Sequence, residues 1–220
     1  MSRRAALWDM DGVLVDTGEF HYQSWIDVLP DYGLEFSREF FRQTFGMNNR
    51  GILSLLLGGK LTPKLLAEIS QRKEQSFREA VRGHVQPLPG VVDWLERLRA
   101  QGFRQAVASS APPANIDTLV DELGLRDYFD ALVSGVDLPG KPEPALFLKV
   151  ATMIDVPPVH CVVMEDAVAG VEAAKQAGMA CVAVTTTNPA EALRAADIVV
   201  ERLDALPADA VSQLLAPGGR

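Results

Sequence analysis

Apolar residues follow two rhythms along this chain. From Pro87 onward, short continuous apolar runs alternate with stretches whose apolar residues recur at three- and four-residue spacing. The runs predict strands over Phe103–Ser109, Ala131–Ser134, Val159–Met164, Ala180–Val184 and Asp197–Val200. The periodic stretches predict helices over Val91–Ala100, Ala114–Leu123, Pro144–Ile154 and Ala167–Ala177. Gly102, Gly124 and Gly178 stand just past three of these helices, where the chain turns left-handed. One more apolar run, Ala5–Trp8, predicts a first strand. Strands alternating with helices imply a parallel sheet, and continuously apolar strands imply helices on both of its faces.

The stretch between that first strand and Pro87 has only the helical rhythm. His21–Leu29, Arg38–Phe45, Ile52–Leu57 and Leu65–Val81 are each amphipathic, and no strand is convincing. Asp16-Thr17-Gly18-Glu19 has the spacing of a capping box, and Thr62 stands before proline at the first helical position. Pro87-Leu88-Pro89-Gly90 is turn-rich and marks the far border. The expected architecture is an α/β, Rossmann-like parallel-sheet core over residues 1–16 and 87–220. An all-helical cap over residues 17–86 is inserted into it. The tail Ala216-Pro217-Gly218-Gly219-Arg220 is expected to fray.

Composition narrows the class without naming a function. Hydrophobic residues at 48% and charged residues at 23% suit a globular chain. No apolar run approaches the ~20 residues that span a bilayer. The apolar run after Met-Ser-Arg-Arg is too short for a secretory signal, so a cytoplasmic protein without membrane attachment is expected. The net charge of −8 argues against a general nucleic-acid surface, though not against a small anionic substrate whose site reverses the local field. Cys161 and Cys181 fall inside predicted strands and read as small buried hydrophobes rather than a disulfide or metal pair. Nothing points to an obligate protein partner.

In open α/β sheets, ligands sit beyond the carboxyl ends of the strands. After the first predicted strand come Asp9 and Asp11; after the second, Ser109 and Ser110. Lys141 lies in the loop following the third, and Glu165 and Asp166 follow the fourth. Each alone has a plain alternative: a turn-forming Asp, a capping Ser, a solvated Lys, acids starting a helix. Together they would be four coincidences at one edge of one sheet. Phosphoryl transfer needs this set. Asp9 can attack phosphorus, Asp11 can move protons, and Lys141 and Ser109 can balance charge on phosphoryl oxygens. Crowded carboxylates with no histidine or thiolate nearby favour Mg²⁺, and no paired histidines suggest zinc.

Asp9-Met10-Asp11-Gly12-Val13, Ser109, Gly140-Lys141-Pro142-Glu143-Pro144 and Met164-Glu165-Asp166-Ala167 resemble the four ordered motifs of the haloacid dehalogenase (HAD) superfamily. The helical insert resembles the small cap of its β-phosphoglucomutase-like branch. The resemblance implies Asp9 as nucleophile and metal ligand, with the Asp11 carbonyl also on Mg²⁺. It implies Asp166 as a direct ligand and Glu165 as one acting through water. An acid at Asp11 argues against carbon–halogen cleavage.

In the cap, residues 16–25 resemble the mutase stretch in which an acid, a histidine and a tryptophan recur. His21 is the candidate to link proton transfer at Asp11 to cap closure; its alternative is a histidine on a half-buried face. Arg50 is a candidate phosphate clamp, one residue further from Gly46 than in the mutase pattern. Lys73 resembles a substrate-facing cap lysine; its alternative is a solvated helix lysine. Trp25 and Phe20 read as packing. After Ser109, the segment Ser110-Ala111-Pro112-Pro113-Ala114-Asn115 brings fewer donors than a second phosphate needs. The expected activity is therefore a phosphatase on a small phosphorylated metabolite, a sugar phosphate above all. A phosphomutase is the alternative. A non-catalytic receiver-like module fits worse, because receivers are smaller and lack the insert.

Overall fold

A computed structural model of the protein describes residues 3–216. Residues 217–220, which carry most of the tail expected to fray, lie outside the described residues. Two compact units result. One takes the chain through Asp16 and again from Gln86; the other is Thr17–Val85.

The first unit is built on six parallel strands: β1 Ala5–Trp8, β2 Arg104–Ser109, β3 Ala131–Ser134, β4 Cys161–Glu165, β5 Ala180–Val184 and β6 Ile198–Val200. Their order across the sheet is β3-β2-β1-β4-β5-β6. The strand order reverses between β1 and β4, so a crevice opens at their carboxyl ends, where open α/β sheets bind ligands. The helices of this unit are α5 Val91–Ala100, α6 Pro113–Glu122, α7 Ala145–Met153, α8 Val168–Gln176 and α9 Ala210–Leu214. Each strand expected from the apolar runs is present. β4 starts later than expected because Pro158–His160 forms a 3₁₀ turn, proline lacking the N–H a ladder needs. The short α9 has too few residues to display a period and was not anticipated.

Register decides what stands at the crevice. Trp8 pairs with Met164, and the Asp9 amide donates to the Met164 carbonyl at 3.0 Å, which sets Asp9 level with Glu165. Ala5 and Leu7 share a buried cluster with Cys161, Val163, Phe147 and Val171. Side chains alternate along a strand, so Asp9 and Glu165 turn toward that same α7 and α8 face. Trp8 turns the other way, and its buried indole Nε1 donates to Gln105 Oε1 at 3.2 Å.

The second unit contains α1 Gly18–Val28, α2 Arg38–Thr44, α3 Asn49–Leu57 and α4 Pro63–Val81. Trp25, Val28, Leu29, Phe36, Ile52, Leu53 and Ile69 form its core. Thr62 caps α4 as expected, accepting from the Leu65 amide at 3.2 Å with Pro63 behind it. The cap position of α1 falls on Thr17, one residue after the Asp16 of the expected capping box. Thr17 holds the cap position without a side-chain cap bond, and Glu19 instead takes a bidentate pair from Arg38 at 2.7 Å. Two charge-assisted bonds outweigh one bond back to the backbone. Among the described residues, no helix is long and apolar enough to cross a membrane.

Candidate active site

Asp9 leaves β1 into a tight turn. The Val13, Leu14 and Val15 amides all donate to the Met10 carbonyl, and Gly12 N–H donates to the Val15 carbonyl at 2.7 Å. Gly12 adopts a φ of +85°, which an L side chain resists. A Cβ there would also lie 2.0 Å from Asp166 Oδ2. Only glycine brings this backbone so close to that carboxylate. Gly170 does the same for Glu165, whose Oε1 would stand 1.8 Å from an added Cβ. Two bare glycines thus wall in two acids.

Lys141 reaches the crevice from the loop before α7, and its peptide to Pro142 is cis. Its ammonium donates to Asp9 Oδ1 at 2.5 Å and to Glu165 Oε1. Glu165 is fully buried, and its Oε2 accepts the Asp166 and Ala167 amides at 2.7 and 2.8 Å. A carboxylate oxygen accepts about two hydrogen bonds, so Oε2 is filled and Oε1 keeps one lone pair. Asp166 is also buried; Thr187 Oγ1 donates to its Oδ2, and Asn188 Nδ2 donates to its carbonyl at 3.1 Å. Neither Thr187 nor Asn188 was singled out from the sequence, because a loop Thr-Thr-Thr-Asn reads as ordinary turn chemistry. The one available signal was position: the loop follows β5, the strand beside β4.

Ser109 ends β2 fully in the interior, and its Oγ accepts the Ala111 amide at 3.1 Å. That bond uses an acceptor lone pair and leaves the hydroxyl proton for an anion. Ser110 follows, half-buried, at the turn toward α6. Asp11 is half-buried in the turn after β1.

Charge in this crevice does not balance. Burial raises the Asp9 carboxyl, the Lys141 charge lowers it, and Glu165 and Asp11 raise it again, leaving it pushed up to about 7. Burial, then the Glu165 and Asp9 charges, hold Asp166 well above the usual carboxylate range. Burial works against the Lys141 charge, but Asp9 and Glu165 more than offset it and keep the ammonium protonated. One cation cannot neutralise this many acids, and the unmet demand suits a further cation. All nearby donors are oxygens, the set a hard divalent ion takes. Among the described residues, no three His, Cys, Asp or Glu side chains already form a cage. The fit therefore rests on Asp9 and Asp166 together with non-side-chain oxygens.

The cap residues fall in the second unit. His21 is half-buried on α1, with Nδ1 at 2.8 Å from the Lys73 ammonium. Lys73 is buried on α4, so the alternative of a solvated helix lysine is corrected. Arg50 is exposed in the first turn of α3, after the Asn48 cap. Trp25 is buried beside Phe36 and is packing, as expected. Cys161 and Cys181 are buried thiols outside any disulfide, and burial pushes the Cys181 thiol well up.

A family model for haloacid dehalogenase-like hydrolases matches residues 3–178. The chain belongs to that family. It is 32% identical over 208 residues to β-phosphoglucomutase of Bacillus subtilis, covering 90% of this chain and 89% of that one. It is 34% identical over 182 residues to the fructose-1-phosphate phosphatase YqaB of Escherichia coli, covering 81% and 94%. Among solved structures, a CbbY variant from Rhodobacter sphaeroides with bound xylulose-1,5-bisphosphate superimposes with a TM-score of 0.84 at 25% identity, covering 93% of this chain and 96% of that one. This HAD-family member is a phosphoryl-transfer enzyme.

Proposed function

We propose that this enzyme is a Mg²⁺-dependent phosphatase of small phosphorylated sugars, acting through an aspartyl-phosphate on Asp9. The observation that carries the reading is the sheet-edge cluster in which Lys141 bridges Asp9 and Glu165 beside Asp166. A carboxylate held at a strand end, with a cation already on one oxygen, is an oriented nucleophile. The Asp9 oxygen attacks phosphorus, the bond to the sugar oxygen breaks, and Asp11 gives that oxygen its proton. Asp11 then takes a proton from water as the water oxygen attacks phosphorus, releasing phosphate and restoring Asp9. Lys141 and the Ser109 hydroxyl steady the charge on the phosphoryl oxygens through both halves. Asp9, Asp166 and the Asp11 carbonyl would hold Mg²⁺, with Glu165 acting through water on its remaining lone pair; Ser110 would face the substrate. The bound ion would supply positive charge that relieves the repulsion among the acids and draws charge from the phosphoryl group.

A sugar phosphate is supported by the relatives, which include both a fructose-1-phosphate phosphatase and a β-phosphoglucomutase. The second of these keeps a mutase reading in play. Against it stands the segment after Ser109, where Pro112 and Pro113 offer no amide to a second phosphate. Phosphate release from a panel of sugar phosphates, with and without Mg²⁺, tests the proposal. Free phosphate that requires Mg²⁺ supports it. Conversion of β-glucose 1-phosphate to glucose 6-phosphate, primed by a trace of bisphosphate, would assign the mutase instead.

A further inference from the structure

The cap holds a second group of buried charges that the sheet-edge chemistry leaves unused. On α4, Ile69, Lys73, Phe77 and Val81 recur every four residues, and all four are buried. Lys73 is only 3% exposed, so its ammonium is cut off from bulk water. It donates to Glu74 Oε1 at 3.0 Å and stands 2.8 Å from His21 Nδ1. The faces of Trp25 and Phe77 lie 5.4 and 5.3 Å from it. Glu74 Oε1 also accepts from Asn49 Nδ2 at 2.8 Å. The His21 ring stacks on Phe77 at 4.1 Å, within 9° of parallel. Three helices thus supply one network: α1 the imidazole, α3 the amide, α4 the ion pair.

Stability alone does not account for it. A buried ion pair stabilises no more than apolar residues of the same volume would. Orientation does account for it. An ammonium carries three donors and no acceptor, so the ring nitrogen it faces is unprotonated. Burial pushes Glu74 up, but the Lys73 charge, the His21 charge at the low pH where that ring is protonated, and hydrogen bonds from Asn49 and Lys73 hold its carboxyl below the usual range, so it stays ionised to anchor the ammonium.

We propose that Glu74 is a positioning residue: it fixes the Lys73 ammonium as a donor to His21 Nδ1 and so locks His21 as the Nε2–H tautomer. In that tautomer the His21 ring is a neutral hydrogen-bond donor at Nε2 rather than an imidazolium. An uncharged donor suits a sugar hydroxyl or ether oxygen better than a phosphate, a use that rests on the sugar-phosphate reading above.

The chain has three histidines, His21, His84 and His160, so His21→Gln assigns the His21 ring signals in a long-range ¹H–¹⁵N spectrum. The expected wild-type result near neutral pH is one widely split pair of ring nitrogens, with Nδ1 unprotonated and Nε2 protonated. Glu74→Gln and Lys73→Met are expected to collapse that splitting toward a tautomer mixture, and Glu74→Asp to retain more of it. Circular dichroism establishes that each variant is folded. An imidazolium or an Nδ1–H tautomer in the wild type overturns the proposal, whether or not the variants fold. So does an unchanged spectrum in both folded variants. A wild-type enzyme that releases no phosphate from any sugar phosphate would defeat the functional reading while leaving the ring spectrum to decide this one.

Discussion

Two buried lysines sit among acids in this molecule, and their surroundings differ. In the core unit, Lys141 is shared by Asp9 and Glu165, with Asp166 beside them. In the cap, Lys73 pairs with Glu74, and His21 Nδ1 stands 2.8 Å from its ammonium. The first set carries more negative charge than it can satisfy, and Asp9 is pushed up to about 7. The second is matched, and Glu74 is held below its usual range. Burial opposes ionisation in both places, so the difference lies in the neighbouring charge: acids crowd Asp9, and an ammonium adjoins Glu74. A surplus of acids suits the proposed chemistry, in which a cation and a phosphoryl group meet at Asp9. A matched pair marks a site that orients a neighbour.

The largest effect should come from the surplus. Asp9→Asn removes the proposed nucleophile and is expected to cut turnover by ~10⁴-fold or more. It also removes one of the crowded acids, so the melting temperature should hold or rise. Substantial turnover in folded Asp9→Asn would remove Asp9 from the chemistry and with it the contrast drawn here.

The lysines themselves come next. Removing one partner of a buried pair typically costs about 3–5 kcal/mol, because an uncompensated charge stays behind. Lys141→Met and Lys73→Met should each approach that cost. The remedy should differ. Acids left by Lys141→Met can take a divalent ion, so Mg²⁺ is expected to recover part of the lost melting temperature. Lys73→Met leaves Glu74 without its ammonium rather than a bridged pair of acids, and Mg²⁺ is expected to recover less. Equal recovery in thermal melts would erase the distinction.

How much of this was legible in the sequence follows the same divide. The strand ends and their acids were readable, because apolar runs stop where charge begins and a parallel sheet gathers strand ends at one edge. What the acids do to one another was not readable. The filling of Glu165 Oε2 by two backbone amides depends on how the chain turns after β4. For Lys73, only the solvated alternative is overturned: Ile69, Phe77 and Val81 place position 73 on the buried stripe. Helical spacing reports the face and residue type reports the average habit; here the spacing was the better guide. Glu74 was overlooked for a related reason. An acid beside a lysine reads as a surface pair until its neighbours are known, and Asn49 is 25 residues away.

The two sites should respond to pH with opposite signs. Asp9 in the metal-free protein keeps its proton to about 7, against an ordinary value of 3.8. Between those values the folded state binds a proton that the unfolded chain has lost, so stability falls as pH rises, by at most about 1.4 kcal/mol per pH unit. Glu74 is held below its ordinary 4.5, so its contribution is complete above that value and lost as pH falls below it. Denaturant melts in chelator across pH 3–8 should show both limbs. Asp9→Asn should reduce the slope of the upper limb, to which the raised Asp166 also contributes, and leave the lower limb, while Glu74→Gln should reduce the lower limb alone. A variant that flattens the wrong limb would mean the charge count has been misassigned.

The smallest effect tests whether surplus acids need orienting as the matched pair does. Thr187 donates to Asp166 Oδ2, and Gly12 stands so close to that same oxygen that it has little room to move. One oxygen of the carboxylate is therefore pinned. Partners that orient metal-binding carboxylates are worth roughly 10–100-fold in metal affinity. Thr187→Val keeps the volume and removes the donor, so Mg²⁺ binding measured by calorimetry should weaken by about 10-fold, the low end of that range. The loss should be modest because Gly12 still confines the carboxylate from the other side. Thr187→Ser keeps the hydroxyl and should bind Mg²⁺ nearly as the wild type does. If Thr187→Val binds equally well, the glycine wall alone sets Asp166, and orientation by hydrogen bonding belongs to the cap lysine and not to the sheet edge.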